Sequence, residues 1–415
     1  MVLGERTCTN HPQRTYDYTM KTLTLREYEC VETDLLTPVM AERLRDHFSQ
    51  YVKVERSWNG QGWQMRASHY IGTIVLDHLH ITILPKTTVT NLFYMLTYAY
   101  RLPQFRTEET LATISDNIFE FIVRIFLEQT QQLIRQGIYR NYVEQEEVQI
   151  YLRGRLMLAD YLRQNAVRVG YFVQRANEHT SNVPENQILK YTLWLLSQLD
   201  YRETAMTTRL RRAYAMLGEV SHVMVNATDC YQLQFTRLNE RYRAPIHLAA
   251  LLLRHLSLES GRGDERFFSY LFDMNEVFEK FVGYYLQERF RDHPTIDVLL
   301  QERIWLDAER QEHGIPDIII QHNQAPLYVL DTKYKQFKGS PDPADRNQLW
   351  IYNQRLKPRA GILIYANEEL PLYQTTFDEI PLYAKSLPLT GTLTEFQWGC
   401  RRFVEELINA MSERS

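Results

Sequence analysis

Two short apolar runs joined by a polar turn, GIPDIII and VLDTKYK within residues 314–335, constrain this chain more than any other stretch. Runs of Val, Leu and Ile this short, bounded by Gly, Asn and Pro, read as strands rather than as helix. Each carries charge where an apolar sheet tolerates it poorly. Asp317 sits near the start of the first run, and Asp331 and Lys333 sit at the end of the second. Strand side chains alternate between faces, so Asp331 and Lys333 share a face and Thr332 takes the other. A hairpin of the two runs brings Asp317 to the Asp331/Lys333 pair. Two carboxylates and an ammonium at the end of an apolar sheet are the minimal set for holding Mg²⁺ and activating a water against a phosphodiester. The competing reading is a plain Pro-Asp turn and a solvated Asp-x-Lys strand end. Against it, a charge on a buried strand is costly unless it has a partner or a metal.

Three further features flank this stretch. Glu279 lies on the predicted helix MNEVFEKFVGYYLQERF, beside an apolar face made by Phe278, Phe281, Val282, Tyr285 and Leu286. It offers another oxygen to the site, or else is an exposed glutamate paired with Lys280 or Arg289. Gln348 and Tyr352 are i, i+4 neighbours on a helix predicted over 343–356, where a glutamine can orient a water or a phosphate. Residues 331–359 hold seven Lys and Arg against three Asp, a local balance of 7 − 3 = +4 in a chain whose net charge is −4. Lys335, Lys338 and Arg346 in that segment are candidates for contact with a DNA backbone, which local cations drive.

The rest of the composition excludes several classes. A net charge of −4 is unlike a general nucleic-acid coat protein. The four cysteines, Cys8, Cys30, Cys230 and Cys400, form no CxxC pair, which speaks against a structural zinc site or a disulfide framework and suits a reducing cytoplasm. No run reaches the 18 or so apolar residues of a membrane span, and the first twenty residues lack an apolar signal-like core, so a cytoplasmic, membrane-free protein is expected. A GxxxxGK[ST] loop is absent, so no nucleotide is expected to bind this chain itself. HExxH and GxSxG are absent too.

Texture divides the chain into three. Residues 23–86 alternate short β-prone runs with turns and one helix near Val39–Phe48, as in a small mixed barrel or sandwich. Helix follows, with Asn91 as an expected N-cap and Gly137 as a C-cap after 116–136. Strand texture returns at 147–158 around Arg153-Gly154-Arg155, and then long helical stretches reach 258. The polar segment ESGRGDER (259–266) is the expected hinge. The predicted fold is mixed α+β and α/β. It has an N-terminal β-rich plus helical domain (1–165), a helical connecting region (166–262) and a C-terminal α/β/α domain (263–415).

These residues resemble a known family. Glu279, Pro316-Asp317, Asp331-Thr332-Lys333 and the helix bearing Gln348 look like a PD-(D/E)XK, or restriction endonuclease-like, nuclease domain. The whole chain resembles McrC, the nuclease subunit of McrBC-type modification-dependent (5-methylcytosine) restriction systems. The resemblance rests on ILPK (83–86), the Asn-Leu-x-x-Met-Leu-x-Tyr-Ala helix (91–99), RGR (153–155), N-x-x-L-K (186–190), Phe-Glu-Lys-Phe-Val (278–282) and DTKY (331–334), all in the family's order. It implies a Mg²⁺-dependent endodeoxyribonuclease of antiviral defence. Its partners would be a McrB-like AAA+ GTPase ring, into which the N-terminal domain would dock and whose GTP hydrolysis it would stimulate, and double-stranded DNA containing modified cytosine, with two nuclease domains pairing to cut both strands. It further implies that Asp317, Asp331 and the Thr332 carbonyl bind Mg²⁺, that Lys333 stabilises developing charge, and that Glu279 and Gln348 support them. A non-catalytic bridge or activator of an AAA+ ring and a stand-alone nuclease of the same fold remain as alternatives.

Overall fold

The computed structural model describes residues 21–412 apart from 59, 61, 77–78, 103–104, 107–116, 166–169, 200, 202, 261–265, 308, 336, 368–372 and 378. The chain opens with β1 (Lys21–Arg26), β2 (Cys30–Thr33), helix α1 (Pro38–His47), β3 (Val52–Arg56), β4 (Trp63–Ala67), β5 (Tyr70–Leu76) and β6 (Leu79–Leu84). Next come α2 (Val89–Ala99), α3 (Ile118–Gln136), β7 (Asn141–Gln149), β8 (Arg155–Leu156), α4 (Leu158–Asn165) and β9 (Phe172–Thr180). Helices α5 (Pro184–Leu196), α6 (Thr204–Met216), α7 (Ala227–Gln232) and α8 (Arg243–His255) lead to β10 (Leu256–Ser260) and β11 (Arg266–Asp273). The last third runs α9 (Met274–Phe290), β12 (Ile296–Leu300), β13 (Ile304–Trp305), β14 (His313–Gly314), β15 (Ile318–His322), β16 (Ala325–Lys333) and α10 (Pro343–Leu356). It closes with β17 (Ala360–Tyr365), β18 (Tyr373–Phe377), β19 (Ile380–Ser386) and α11 (Leu393–Ser412).

The β-rich start is a sandwich rather than a barrel. A five-stranded sheet, β1-β6-β5-β11-β10, packs against a three-stranded sheet, β2-β4-β3, with α1 alongside. Leu25, Ile74, Ile81, Val54, Met65 and Leu44 meet between them. Strand β5 is buried on both faces: Ile74 and Leu76 point into this sandwich, and Ile71 and Val75 into the main helical core. Two-sided burial explains its near-continuous apolar sequence. Thr88, not Asn91, caps α2, accepting from the Asn91 N–H at 3.2 Å. Asn91 lies inside the helix, and its amide donates to the Leu389 and Gly391 carbonyls. Gly137 closes α3 with φ +89°, as its residue type predicts.

Strands β10 and β11 change the expected organisation. They pair antiparallel, Leu256 opposite Tyr270, and β11 also pairs along β5 from Phe267–Leu76 to Asp273–Tyr70. The segment expected as a hinge is therefore framed by a hairpin, and its centre, 261–265, lies outside the described residues. Sheet membership crosses the 262/263 division because β11 finds its apolar cover on β5, far back in the chain. The region read as helical also contains β9, which pairs with β7 and β8 in a separate three-stranded sheet. Its sequence, FVQRANEHT, is polar enough to hide the strand, and cross-strand charge pairs such as Arg175–Glu146 at 2.6 Å help to hold it. Gly154 of the RGR segment lies so close to β9 that a Cβ there would meet the Arg175 carbonyl oxygen at 2.1 Å. Asn186 and Lys190 of the N-x-x-L-K pattern are structural. The Asn186 amide donates to the Tyr139 and Ser181 carbonyls, and the buried Lys190 ammonium to the Leu217 and Val220 carbonyls.

The last third is a six-stranded mixed sheet, β12-β15-β16-β17-β19-β18, covered by helices on both faces. One face, with Ile318, Ile320, Leu330 and Ile362, packs into the main core with α9 and α11. The other, with Ile319, Val329, Leu363 and Leu382, packs under Leu349 and Tyr352 of α10. Strands β16, β17 and β19 run parallel, and β15 runs antiparallel to β16.

Candidate active site

The β15–β16 hairpin does what the two apolar runs predict. Ile318 pairs with Leu330 across the antiparallel ladder. Asp317 precedes the first and Asp331 follows the second, so the register alone sets the two aspartates side by side. The Asp317 Oδ2 accepts from both the N–H and the hydroxyl of Thr332, each at 2.7 Å. Asp331 is fully buried, and its Oδ1 has no hydrogen-bond partner among the described residues. Its Oδ2 lies 2.5 Å from the Lys333 ammonium. Lys333 in turn donates to Gln348 Oε1 at 3.3 Å and lies 3.8 Å from Asp345. Gln348 passes the chain on to the Tyr352 hydroxyl at 3.3 Å, across the one helical turn that the i, i+4 spacing predicts.

Glu279 reaches this place from α9. A cavity of about 400 Å³ is lined by Glu279, Asp317, Asp331, Thr332, Lys333 and Gln348, together with Tyr28, Asn275, Tyr334 and Lys335. The Glu279 Oε1 accepts from the Gln301 amide at 2.6 Å. Burial, reinforced by the Asp317 charge, pushes its pKa up to about 7. Burial likewise raises Asp317 and Asp331, and the two carboxylates repel each other's charge. Burial works against the Lys333 charge, but Asp331, Asp345 and Asp317 outweigh it and hold the ammonium above its usual pKa. A cluster in which the carboxyls resist ionisation even beside a charged lysine is short of positive charge.

That shortage suits a hard cation. Among the described residues no group of three or more His, Cys, Asp or Glu side chains is set to hold a metal ion. Mg²⁺, however, commonly takes only one or two carboxylates and completes its shell with water and substrate phosphate oxygens. Two adjacent aspartates, Asp331 fully buried with an orphaned oxygen and Asp317 half-buried, fit that donor set.

The phosphate-contact candidates divide. Lys338 is exposed, and the Arg346 Nε is buried without a hydrogen-bond partner among the described residues. Lys335 is engaged by Asp342 and, at 2.6 Å, by Asp345, so part of the local excess charge is neutralised within the cluster. A larger recess of about 740 Å³ lies near Arg101, Arg106 and Arg291. It gathers none of the candidate residues, and its Arg106 is already paired with Glu288 at 2.7 Å.

Sequence reasoning missed Tyr28, Asn275 and Tyr334 as cavity residues. Asn275 sits in the first turn of α9, one turn before Glu279, and Tyr334 follows Lys333, so local spacing pointed to both. Nothing in the sequence connects Tyr28, at the far end of the chain, to the site.

The fold and site together define a mixed α/β protein with a carboxylate–lysine cluster at the end of a sheet. The family model described as "McrBC 5-methylcytosine restriction system component" matches residues 65–366, and the chain belongs to this family. It is 22% identical over 303 residues to the type IV methyl-directed restriction enzyme EcoKMcrBC of Escherichia coli K12, covering 68% of this chain and 86% of that protein. Its fold is similar to a chain in the refined half-complex from a tetradecameric assembly of Thermococcus gammatolerans McrB AAA+ hexamers with bound McrC. The TM-score is 0.63 at 20% identity, over 93% of this chain and 100% of that one. A second structure, the T. gammatolerans McrBC complex, aligns with TM-score 0.44 at 19% identity, over 66% and 90% of the two chains.

Proposed function

We propose that this chain is the DNA-cleaving subunit of a McrBC-type restriction system and that its last third is a PD-(D/E)XK nuclease domain. The observation that carries the reading is Asp331: fully buried, one oxygen unpartnered, with Asp317 on one side and the Lys333 ammonium at 2.5 Å on the other. The oxygen that Lys333 leaves unpartnered makes the buried carboxylate costly without a second cation. Asp317, Asp331 and the Thr332 carbonyl would hold Mg²⁺, with Glu279 close by. Bound there, Mg²⁺ would polarise the scissile phosphate and lower the pKa of a water. Lys333, steered by Asp331 and Gln348, would stabilise charge on the phosphate oxygens as it develops. Glu279 has a pKa near neutrality and a side chain facing the cavity, which suits a proton acceptor for the attacking water. Lys338 and Arg346 are proposed to contact the backbone of double-stranded DNA containing modified cytosine.

The partner in this reading is a McrB-like AAA+ GTPase ring. The β7-β9-β8 sheet supports a docking role. It and the adjoining α4 expose Tyr142, Ile150, Tyr151, Leu152, Leu158 and Leu162, apolar side chains that a free surface rarely gathers. The test reconstitutes the full chain with its AAA+ partner, GTP, Mg²⁺ and methylated plasmid. Asp331→Ala and Lys333→Ala should each lower cleavage by at least about 100-fold, in the range of losing one electrostatic contact in a transition state, while GTP turnover stays near wild type. Wild-type cleavage by both variants rejects the site.

A further inference from the structure

The cavity holding the two aspartates has a wall that does not come from the same third of the chain. Tyr28, in the turn after β1, lines it beside Glu279, Asp317, Asp331 and Lys333. Two contacts fix that turn against Tyr334, just past β16, and a third ties it to Lys86, just past β6. The Tyr334 hydroxyl donates to the buried Glu27 carboxylate at 2.6 Å. The Lys86 N–H donates to the same Glu27 oxygen at 2.6 Å. The Tyr28 hydroxyl donates to the Tyr334 carbonyl at 3.4 Å.

Tyr28 is an unusual occupant of its position. Its φ is +62°, a left-handed conformation that a turn normally gives to glycine or asparagine and that costs a bulky residue about 1 kcal/mol or more. Packing does not account for it, since the side chain is 44% exposed. Its ring carries the Lys86 ammonium 4.5 Å from its centroid, and the same ammonium lies 5.2 Å from the Tyr334 ring. Lys86 makes no ion pair among the described residues. An aromatic ring with an exposed ammonium beside it, at the mouth of this cavity, has the chemistry of a single-strand contact. The ring takes a base or sugar and the ammonium takes a phosphate.

We infer that Tyr28 and Lys86 are DNA-contacting residues, delivered by the N-terminal sheet to hold the nucleotide next to the scissile phosphate. The inference rests on the nuclease reading of the cavity, and the Glu27–Tyr334 bond positions the pair without touching substrate.

The experiment measures binding separately from cutting. Full-length protein, with Ca²⁺ in place of Mg²⁺, is titrated into a fluorescein-labelled 30-base-pair duplex bearing a single-stranded overhang, with anisotropy as the readout. Tyr28→Leu should weaken binding about tenfold, as loss of one aromatic–base stack does. Tyr28→Phe, which keeps the ring, should retain wild-type affinity. Lys86→Ala should weaken binding less and flatten the dependence of log Kd on log salt by about one unit. Melting temperatures of the variants, measured alongside, separate contact from folding. The proposal is overturned if Tyr28→Leu and Lys86→Ala both bind like wild type, if affinity follows the melting temperature rather than the ring, or if wild type does not bind the duplex. Failure of the nuclease reading would show elsewhere, as Mg²⁺-dependent cleavage that survives Asp331→Ala.

Discussion

The six-stranded sheet and the β7-β9-β8 sheet answer the same problem in opposite ways. In the first, β17 and the first three residues of β15 are apolar because helices cover both faces, and the charges of the β15–β16 hairpin gather at one end, in the site. In the second, strand NYVEQEEVQ is polar along its length, lies largely in the open, and is held by its ladder and by pairs such as Arg153–Glu147 at 2.6 Å. Its apolar residues cluster at the exposed end, Ile150 to Leu152. Full cover on two faces makes the first sheet a rigid mount for chemistry. The open second sheet is free to be covered by something else.

Substitutions can break this contrast, and the largest effect belongs to the covered sheet. Leu330→Ala deletes a fully buried side chain and should cost about 3 kcal/mol of stability, read by urea denaturation. The matching change on the open sheet, Val148→Ala, should stay within about 0.5 kcal/mol because the side chain is already 42% exposed. Comparable losses at both sites would erase the distinction. A smaller effect, on association rather than folding, is expected from Leu152→Asp. It should lower stimulation of the partner's GTP turnover by about tenfold, as loss of a contact worth 1.4 kcal/mol does, and leave the melting temperature unchanged. Wild-type stimulation would remove the open sheet from the docking surface.

The smallest effect concerns pH. Glu279 is raised in the folded chain from 4.5 to about 7. Its contribution to stability is therefore complete below pH 4.5 and is lost as pH rises through about 7. Asp317 and Asp331 are raised too and act with the same sign. Without divalent cation the melting temperature should fall across that window, and Glu279→Gln should restore about 1–2 °C of it at pH 8. Added Mg²⁺ should raise the melting temperature more at pH 8 than at pH 5.5, because ionised carboxylates bind it. An equal response to Mg²⁺ at both pH values would argue against the carboxylates as its ligands.

The same contrast explains what the sequence disclosed. Strands β15 and β16 were legible because two-sided burial writes itself as an apolar run, and their charges stood out against it. Helices α3 and α10 were legible from Gly137 and Pro343 at their ends. Strand β9 was not, because only its first half is buried and its polar residues there, Gln174 and Arg175, break the apolar pattern. The β18–β19 pair, YQTTF and IPLYAKS, was missed for a similar reason: it forms the sheet's edge and carries little periodicity. Pairing of β11 with β5 left no local mark, since both strands are apolar and the partner of each is set by the fold as a whole. Tyr28 joined the site by the same route. Candidates within one hairpin or one helical turn of each other were readable, and those brought together by distant sheets were not.

The β5–β11 pairing also sets the order in which the molecule can be made. Strand β5 leaves the ribosome early with both faces apolar, yet the neighbour that completes its hydrogen bonding follows only after α8 and β10. At ordinary elongation rates that interval is on the order of ten seconds or more. Closing so long a loop is entropically slow. The N-terminal sheet therefore waits with an open edge until most of the chain exists. The step that seals it also brings α9, and with it Glu279, into place.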